Sequence, residues 1–304
     1  MNGILIINKP QNMTSHDVIS IMRRKTGIKR IGHSGTLDPM ATGVLPIFIG
    51  KATRIIQFSS DEESKIAKLY RCKIRFGCTS DTQDIWGEVR YVEDFVMPEM
   101  EEVSQVVNTF LGSSFQVPPA YSAIKIDGRK MYEYARKGVD IPQEKIKLRE
   151  VYINSITINN YDLENNEIEF DVESSKGLYV RTLCADIGEN LGCGAVMSEL
   201  TRLRSDCFDI KDCYSVDELR ESAELPSLLP VDYPLNYMYR VDLSTYDYVS
   251  FANGIKIHDF NESYTQFDSL KANGKYIRIY HEERFAGIGE MQNNSLKPYK
   301  VFHE

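Results

Sequence analysis

The sequence predicts an α+β fold, with strands and short capped helices interleaved over most of its 304 residues and a small β-rich domain at the C-terminus. One observation is period-two alternation. In "KLYRCKIRFG", Tyr70, Cys72, Ile74 and Phe76 share one face while Arg71, Lys73 and Arg75 share the other. A second is helix punctuation: Thr14 and Asp17 stand at capping-box spacing before "VISIMRRKTG", as do Ser215 and Glu218 before "LRESAEL". The third is the crowding of Pro226, Pro230 and Pro234, which reads as a linker before a strand-like tail over residues 235–304.

In chain order, "GILIIN" reads as a buried first strand. The helix that follows stops at Gly27, with Arg23, Arg24 and Lys25 near the negative end of its dipole. "GVLPIFIG" is a second buried strand, followed by a short helix in "ATRIIQF", and the alternating strand comes next. Pro98 is expected to open a helix running to Leu111 and stopped by Gly112. "QVPPAYSAIKIDGRKMYEYARKG" carries Pro-Pro and Asp-Gly turn signals before a short basic helix ending at Gly138. "KLREVYINSITINNYD" and "NEIEFDVESS" predict two strands joined by a polar turn at Glu164 to Asn166. "YVRTLCADIGENLG" predicts a helix with Gly192 at its end, and "AVMSELTRLR" is read as another helix. In the tail, "KYIRIYHEERFAGIGEM" reads as a hairpin around Glu282 and Glu283, and "ANG" and "KANGK" read as turns.

Composition narrows the function classes. Apolar residues make up 42%, ordinary for a chain that buries a core, and no apolar run reaches the length of a membrane span. The N-terminus reads as a strand and not a signal peptide. The six cysteines lack knuckle or redox spacing, so they are expected as reduced thiols in a cytoplasmic protein. The five histidines form no ligand pair, so no metal is expected. A net charge of −8 argues against nucleic acid as a partner, but the charge is uneven. Lys9, Arg23, Arg24, Lys25, Lys29, Arg30, Lys51 and Arg54 face only Asp17 and Asp38 in residues 1–60. A second basic stretch, residues 121–149, carries Lys125, Arg129, Lys130, Arg136, Lys137, Lys145, Lys147 and Arg149. Charge alone fits a polyanion site and a mixed solvated surface equally.

"GTLDPMATG" holds Asp38, the sole acid between Arg23 and Phe58. As a bare Asp-Pro pair it reads as a turn initiator. A lone carboxylate beside a polyanion site repels the ligand, however, and catalysis as nucleophile or base gives it a reason. "GKAT" at 50–53 is not a phosphate loop, because Leu45 stands where glycine is needed and Ala52 where Ser or Thr is needed. Arg181, between a strand and a helix, is a candidate partner that would keep a carboxylate ionised; its alternative is an ordinary surface arginine. Tyr70 faces inward, and its alternative is core packing.

"GILIINKPQNMTSHDVISIMRR", "GHSGTLDPMATGVLPIFIGKATRI", "QVPPAYSAIKIDGRKMYEYARKG" and "SSKGLYVRTLCADIGENLGCGA" occur in one order. Together they resemble the bacterial tRNA pseudouridine-55 synthases, the TruB family, over residues 3 to about 208. "ANGIKI" and "RFAGIGEM" resemble the small RNA-binding β-domain that ends these enzymes. The resemblance implies a mixed, mostly antiparallel central sheet of the pseudouridine synthase type with flanking helices. It implies a catalytic domain over residues 1–230, with 121–149 gripping RNA, and a PUA-like domain over 231–304. It implies an isomerase that flips out the T-loop uridine of tRNA, breaks its glycosidic bond, rotates the base and rejoins it through C5. Asp38 maps to the catalytic carboxylate, Tyr70 to the tyrosine that stacks on the base and is a candidate for removing the C5 proton, and Arg181 to the partner of the carboxylate. His33, Lys9, Pro10, Tyr179 and Leu200 map to substrate or pocket positions. The implied reaction needs no cofactor. The implied partner is the tRNA T-arm, with no guide RNA, no metal and no membrane, and the chain is expected to be a monomer. Thr201 stands where a basic residue is usual, Asp206 where glycine is usual and Ser80 where threonine is usual, which touches RNA contact and loop geometry.

Whether the carboxylate attacks C1′, attacks C6 or takes the C2′ proton stays open. Two rivals remain distinguishable. A non-catalytic RNA-binding or RNA-folding module would not need Asp38, Tyr70 and Arg181 together. A guide-dependent rRNA synthase is disfavoured by the form of segment 121–149 and of the tail.

Overall fold

The structure is a computed structural model that describes residues 1–60, 66–260, 264 and 274–302. Its central sheet has ten strands. They are β1 (Gly3–Lys9), β2 (Ile31–His33), β3 (Thr42–Ile49) and β4 (Lys68–Phe76), then, after a small hairpin of β5 (Cys78–Ser80) and β6 (Val89–Tyr91), β7 (Gly112–Gln116). A second small hairpin, β8 (Lys125–Ile126) with β9 (Arg129–Lys130), precedes β10 (Arg149–Asp162), β11 (Glu167–Ser174), β12 (Ala195–Ser205), β13 (Phe208–Asp209) and β14 (Tyr214–Ser215). The spatial order is β14-β1-β3-β12-β4-β11-β10-β7, with β2 on β3 and β13 on β12. Only β1–β14 and β3–β12 run parallel, so the sheet is mixed and mostly antiparallel, as expected.

β1 is apolar throughout because both its faces are covered. Leu5 and Ile7 pack under α1 (Ser15–Thr26) and α5 (Val216–Glu221), while Ile4 and Ile6 join Val44 and Phe48 on the other face. Both capping boxes form: Thr14 caps α1 and Ser215 caps α5. Gly27 ends α1 with φ +69°, a left-handed conformation that glycine adopts without strain. On the far side of the sheet, α4 (Val180–Asn190) and α2 (Met100–Asn108) cover Cys72, Ile74 and Phe76 of β4 together with Phe170 and Val172 of β11.

Several expectations change. "AVMSELTRLR" is β12, a strand threaded between β3 and β4, and not a helix. Its Ala, Met, Glu and Leu residues favour helix locally, but pairing on both edges overrides that preference. Bulges at Met197/Glu199 and Arg202/Arg204 also break the alternation that would have marked it as a strand. The helix expected from Pro98 to Leu111 spans only Met100–Asn108, because Glu99 caps it and the chain leaves at Thr109 to start β7 at Gly112. The helix in "ATRIIQF" is a 3-10 segment, Gly50–Phe58. The basic helix is a single turn, α3 (Met131–Ala135), after an Asp127-Gly128 turn in which both residues have positive φ.

The proline-rich stretch is no free linker. Leu229 exchanges both backbone hydrogen bonds with Ile4, at 3.0 and 2.8 Å, and Leu228 packs beside Gly3. The tail is not purely strand-like: α6 (Thr245–Ala252) packs on a four-stranded sheet of β15 (Arg240–Asp242), β16 (Tyr276–His281), β17 (Arg284–Gln292) and β18 (Ser295–Val301). The turn at Glu282 and Glu283 has φ +47° and +62° and closes the expected hairpin. Residues 271–273 of "KANGK" lie outside the described residues.

Asp206 explains its own presence where glycine is usual. It opens the β12–β13 turn with φ +57°. Its carboxylate receives the buried Lys68 ammonium at 2.7 Å and the Ser60 hydroxyl. Burial lowers the pKa of Lys68, and Asp206 opposes that shift. Asp206→Ala leaves a buried ammonium unpaired and is expected to cost about 3–5 kcal/mol in urea unfolding. A loss under 1 kcal/mol, on the scale of exposed pairs at about 0–1 kcal/mol, would show that Lys68 finds other partners.

Candidate active site

The parallel seam between β3 and β12 sets the site. Thr42 faces Thr201 and Gly43 faces Arg202, so close that a Cβ on Gly43 would collide with the Arg202 backbone. The Thr42 and Thr201 hydroxyls bond at 2.8 Å across this seam, which is what Thr201 does in place of a basic residue. The Asp38 loop enters β3 immediately before this point.

The loop is pinned at three places. Arg202, 1% exposed, donates to the Gly35 carbonyl at 2.9 Å and the Val44 carbonyl at 2.8 Å. Ser15, at the start of α1, accepts from the Leu37 N–H at 3.0 Å and donates to the Leu37 carbonyl at 3.2 Å. Lys9, fully buried, donates to the carbonyls of Pro10 at 2.9 Å, Met13 at 2.6 Å and Pro39 at 3.2 Å. Lys9 therefore holds the loop from behind, and neither Lys9 nor Pro10 lines the cavity. His33 lies in β2 opposite Ile47, with its Nδ1 buried and unpartnered among the described residues, and it does not line the cavity either. Burial lowers the His33 pKa, with Arg202 adding to the effect.

Asp38, Tyr70, Tyr179, Arg181 and Leu200 do meet, around a cavity of about 340 Å³. Tyr70 sits on β4 opposite Arg202, half-buried above Cys72. Tyr179 is fixed by Gln116, whose amide donates to the Tyr179 carbonyl at 3.0 Å while its oxygen accepts from the Tyr179 N–H at 2.8 Å.

Arg181, in the first turn of α4, is 5% exposed and joins two carboxylates. One terminal nitrogen lies 3.1 Å from Asp38 and donates to the Tyr121 carbonyl at 2.9 Å. The other donates to the Thr82 carbonyl at 3.1 Å and lies 3.8 Å from Asp84. Asp84, 1% exposed, accepts from the Thr82 hydroxyl at 2.7 Å and the Trp86 N–H at 3.1 Å. Burial raises the Asp84 pKa, and Thr82 and Arg181 oppose that rise. Ser80 keeps the hydroxyl that threonine would bring, accepting from the Thr82 N–H at 3.2 Å.

Reading the sequence missed Ser15, Asp84, Gln116 and Arg202. "TSDTQD" and "LTRLRSD" contain two of them, but nothing in the spacing points from Asp84 to Arg181, 97 positions away, or from Arg202 to Gly35.

Lys9 gives the site a pH signature. Burial lowers its pKa to about 8, against an opposing pull from Asp38. Folded protein thus holds this proton less tightly than unfolded chain. The cost of charging it is complete below pH 8 and is relieved toward the free-lysine value of 10.5, so stability does not fall here with rising pH. What falls is the count of donors: a neutral amine cannot serve three carbonyls. Turnover is expected to decline on the alkaline side with an apparent pKa near 8 while the melting temperature holds. A flat rate profile from pH 7 to 10, spanning the lowered value of about 8, would remove Lys9 from the positioning of Pro39.

No helix among the described residues is long and apolar enough to cross a membrane. Comparison with known proteins adds independent findings. Residues 23–180 match the model described as TruB family pseudouridylate synthase (N terminal domain). Residues 181–236 match the tRNA pseudouridylate synthase B C-terminal domain, and residues 241–302 match the Pseudouridine synthase II TruB, C-terminal model. A protein of Clostridium tetani named tRNA pseudouridine synthase B is 38% identical over 99% of both chains. One of Alkaliphilus oremlandii with the same name is 42% identical over 96% of this chain and 94% of its own. Among solved structures, an H/ACA RNP bound to a substrate RNA containing 2′-deoxyuridine superposes with TM-score 0.70 at 19% identity. That match covers 99% of this chain and 85% of the other, and it shows a shared fold.

Proposed function

The chain belongs to the TruB family of pseudouridylate synthases, and from that premise we propose that it converts the T-loop uridine of tRNA to pseudouridine without guide RNA, metal or other cofactor. It is a tRNA pseudouridine synthase, an isomerase, like its full-length relatives. The observation that carries the site assignment is the Asp38–Arg181 pair, 3.1 Å apart, beside Tyr70, Tyr121 and Tyr179 in a cavity of about 340 Å³.

The reaction is balanced within the substrate. The C1′–N1 bond breaks, a C1′–C5 bond forms, C5 loses its proton and N1 gains one. Asp38 engages the ribose or the base at C1′, C6 or the C2′ proton, and Arg181 fixes its orientation. Flipping the uridine out of its loop costs a few kcal/mol. Stacking on an aromatic ring returns about 1–3 kcal/mol, a role for Tyr70 at the cavity wall. Tyr70 is also the candidate for taking the C5 proton. Tyr179 and Leu200 complete the wall, Lys9 and Pro10 support the pocket, and His33 helps hold the remodelled RNA loop. Residues 1–230 form the catalytic unit, with the basic segment 121–149 gripping the T-arm, and residues 231–304 form the PUA-like RNA-binding unit. The protein acts in the cytoplasm as a monomer.

The test is incubation of pure protein with unmodified tRNA transcript, followed by pseudouridine mapping. Modification confined to the T-loop uridine, with no guide RNA or metal added, supports the reading. Modification at another position, or a requirement for guide RNA, overturns it.

A further inference from the structure

Two arginines line the Asp38 cavity, and they are in opposite states. Arg181 is buried, and both its terminal nitrogens are committed to protein oxygens: Asp38, Asp84 and the carbonyls of Thr82 and Tyr121. Arg149 is exposed. It is the one lining cation that forms no ion pair or side-chain hydrogen bond among the described residues.

The fold places Arg149 deliberately close to the substrate wall. It is the first residue of β10 and lies in register with Gln116 of β7. Gln116 is the residue that clasps the Tyr179 backbone from both sides. Gly177, two residues before Tyr179, turns with φ +93°, and even a methyl group there would stand 3.7 Å from the Arg149 guanidinium. Arg149 thus lies beside the turn that leads into Tyr179, in the wall of the cavity itself.

A uridine that enters this cavity brings its backbone with it. The incoming phosphodiester meets the carboxylate of Asp38, and the nearest cation, Arg181, is already neutralised by two carboxylates. A second, uncommitted guanidinium removes that conflict and suits phosphate geometry through paired N–H donors. We propose that Arg149 binds a phosphodiester flanking the target uridine, anchoring the flipped nucleotide while Arg181 positions the carboxylate. This rests on the activity proposed above and names a substrate contact within it.

The test compares wild type, Arg149→Gln and Arg149→Lys on tRNA. Arg149→Gln is expected to lower kcat/KM about tenfold, equivalent to 1.4 kcal/mol, mainly through KM. The log–log salt dependence of its RNA affinity should flatten by about one phosphate contact. Arg149→Lys should recover part of the loss. On T-arm RNA carrying a neutral methylphosphonate on either side of the uridine, wild type should lose activity at one linkage, and Arg149→Gln should lose nothing further there. Arg149→Gln with unchanged kcat/KM, or equal further losses in both proteins at both linkages, overturns the assignment. Wild-type protein that leaves the T-loop uridine intact would instead sink the activity itself.

Discussion

Asp38→Asn is expected to lower pseudouridine formation on the order of 10⁴-fold, with folding and tRNA binding retained. The substitution is isosteric, and the loop around it does not depend on the Asp38 side chain. Gly35, Leu37 and Pro39 are each held through backbone groups by Arg202, Ser15 and Lys9. Arg181 keeps Asp84 and its two carbonyl partners, so the guanidinium stays in place. What is lost is the charge and the nucleophilic or basic oxygen, whichever of the three routes the reaction takes. Binding should hold or tighten slightly, because a negative charge leaves a site that receives a polyanion. Single-turnover mapping of pseudouridine alongside filter binding separates the two effects. Near-wild-type turnover in Asp38→Asn would end the assignment of this carboxylate to chemistry.

The sequence revealed the parts of the molecule whose causes are local. The caps at Thr14 and Ser215 are read within four residues, and the Glu282–Glu283 turn lies between two alternating strands. β12 reads as a helix from sequence because the causes that make it a strand are remote. Its residues favour helix in isolation, and only the neighbouring edges of β3 and β4 make it a strand. The same division runs through the site. Asp38 stood out by its charge isolation, and Tyr70 by its face of β4. Arg202, Ser15, Asp84 and Gln116 act through contacts that join segments far apart in the chain, and no spacing rule announces such contacts. Family resemblance supplied the roles of Asp38, Tyr70 and Arg181; the structure adds what holds Asp38 and Arg181 in place.

Arg181→Lys is expected to lose activity on the order of a hundredfold to a thousandfold and to destabilise the fold by about 1–3 kcal/mol, although charge is conserved. The guanidinium is used as a plane. Its two ends face Asp38 at 3.1 Å and Asp84 at 3.8 Å, while the same nitrogens hold the carbonyls of Tyr121 and Thr82. An ammonium is a single point with three donors and cannot reach all four oxygens. The unserved carbonyls lie on two different loops, so the cavity wall at Tyr121 loosens together with the Thr82 turn. Asp84 adds a pH dependence. Burial holds its pKa above that of a free carboxyl, so folded protein binds this proton more tightly than unfolded chain. Its contribution to stability is complete below the unfolded value of 3.8 and is lost as pH rises through the raised value. Arg181 opposes that rise. With the ammonium farther from Asp84, the pKa climbs and the loss extends toward neutral pH. Arg181→Lys should therefore be further from wild type in melting temperature at pH 7 than at pH 5. An equal deficit at both values would mean that Asp84 draws its compensation from Thr82 and Trp86, and full activity would mean that the backbone contacts of the loop suffice to aim Asp38.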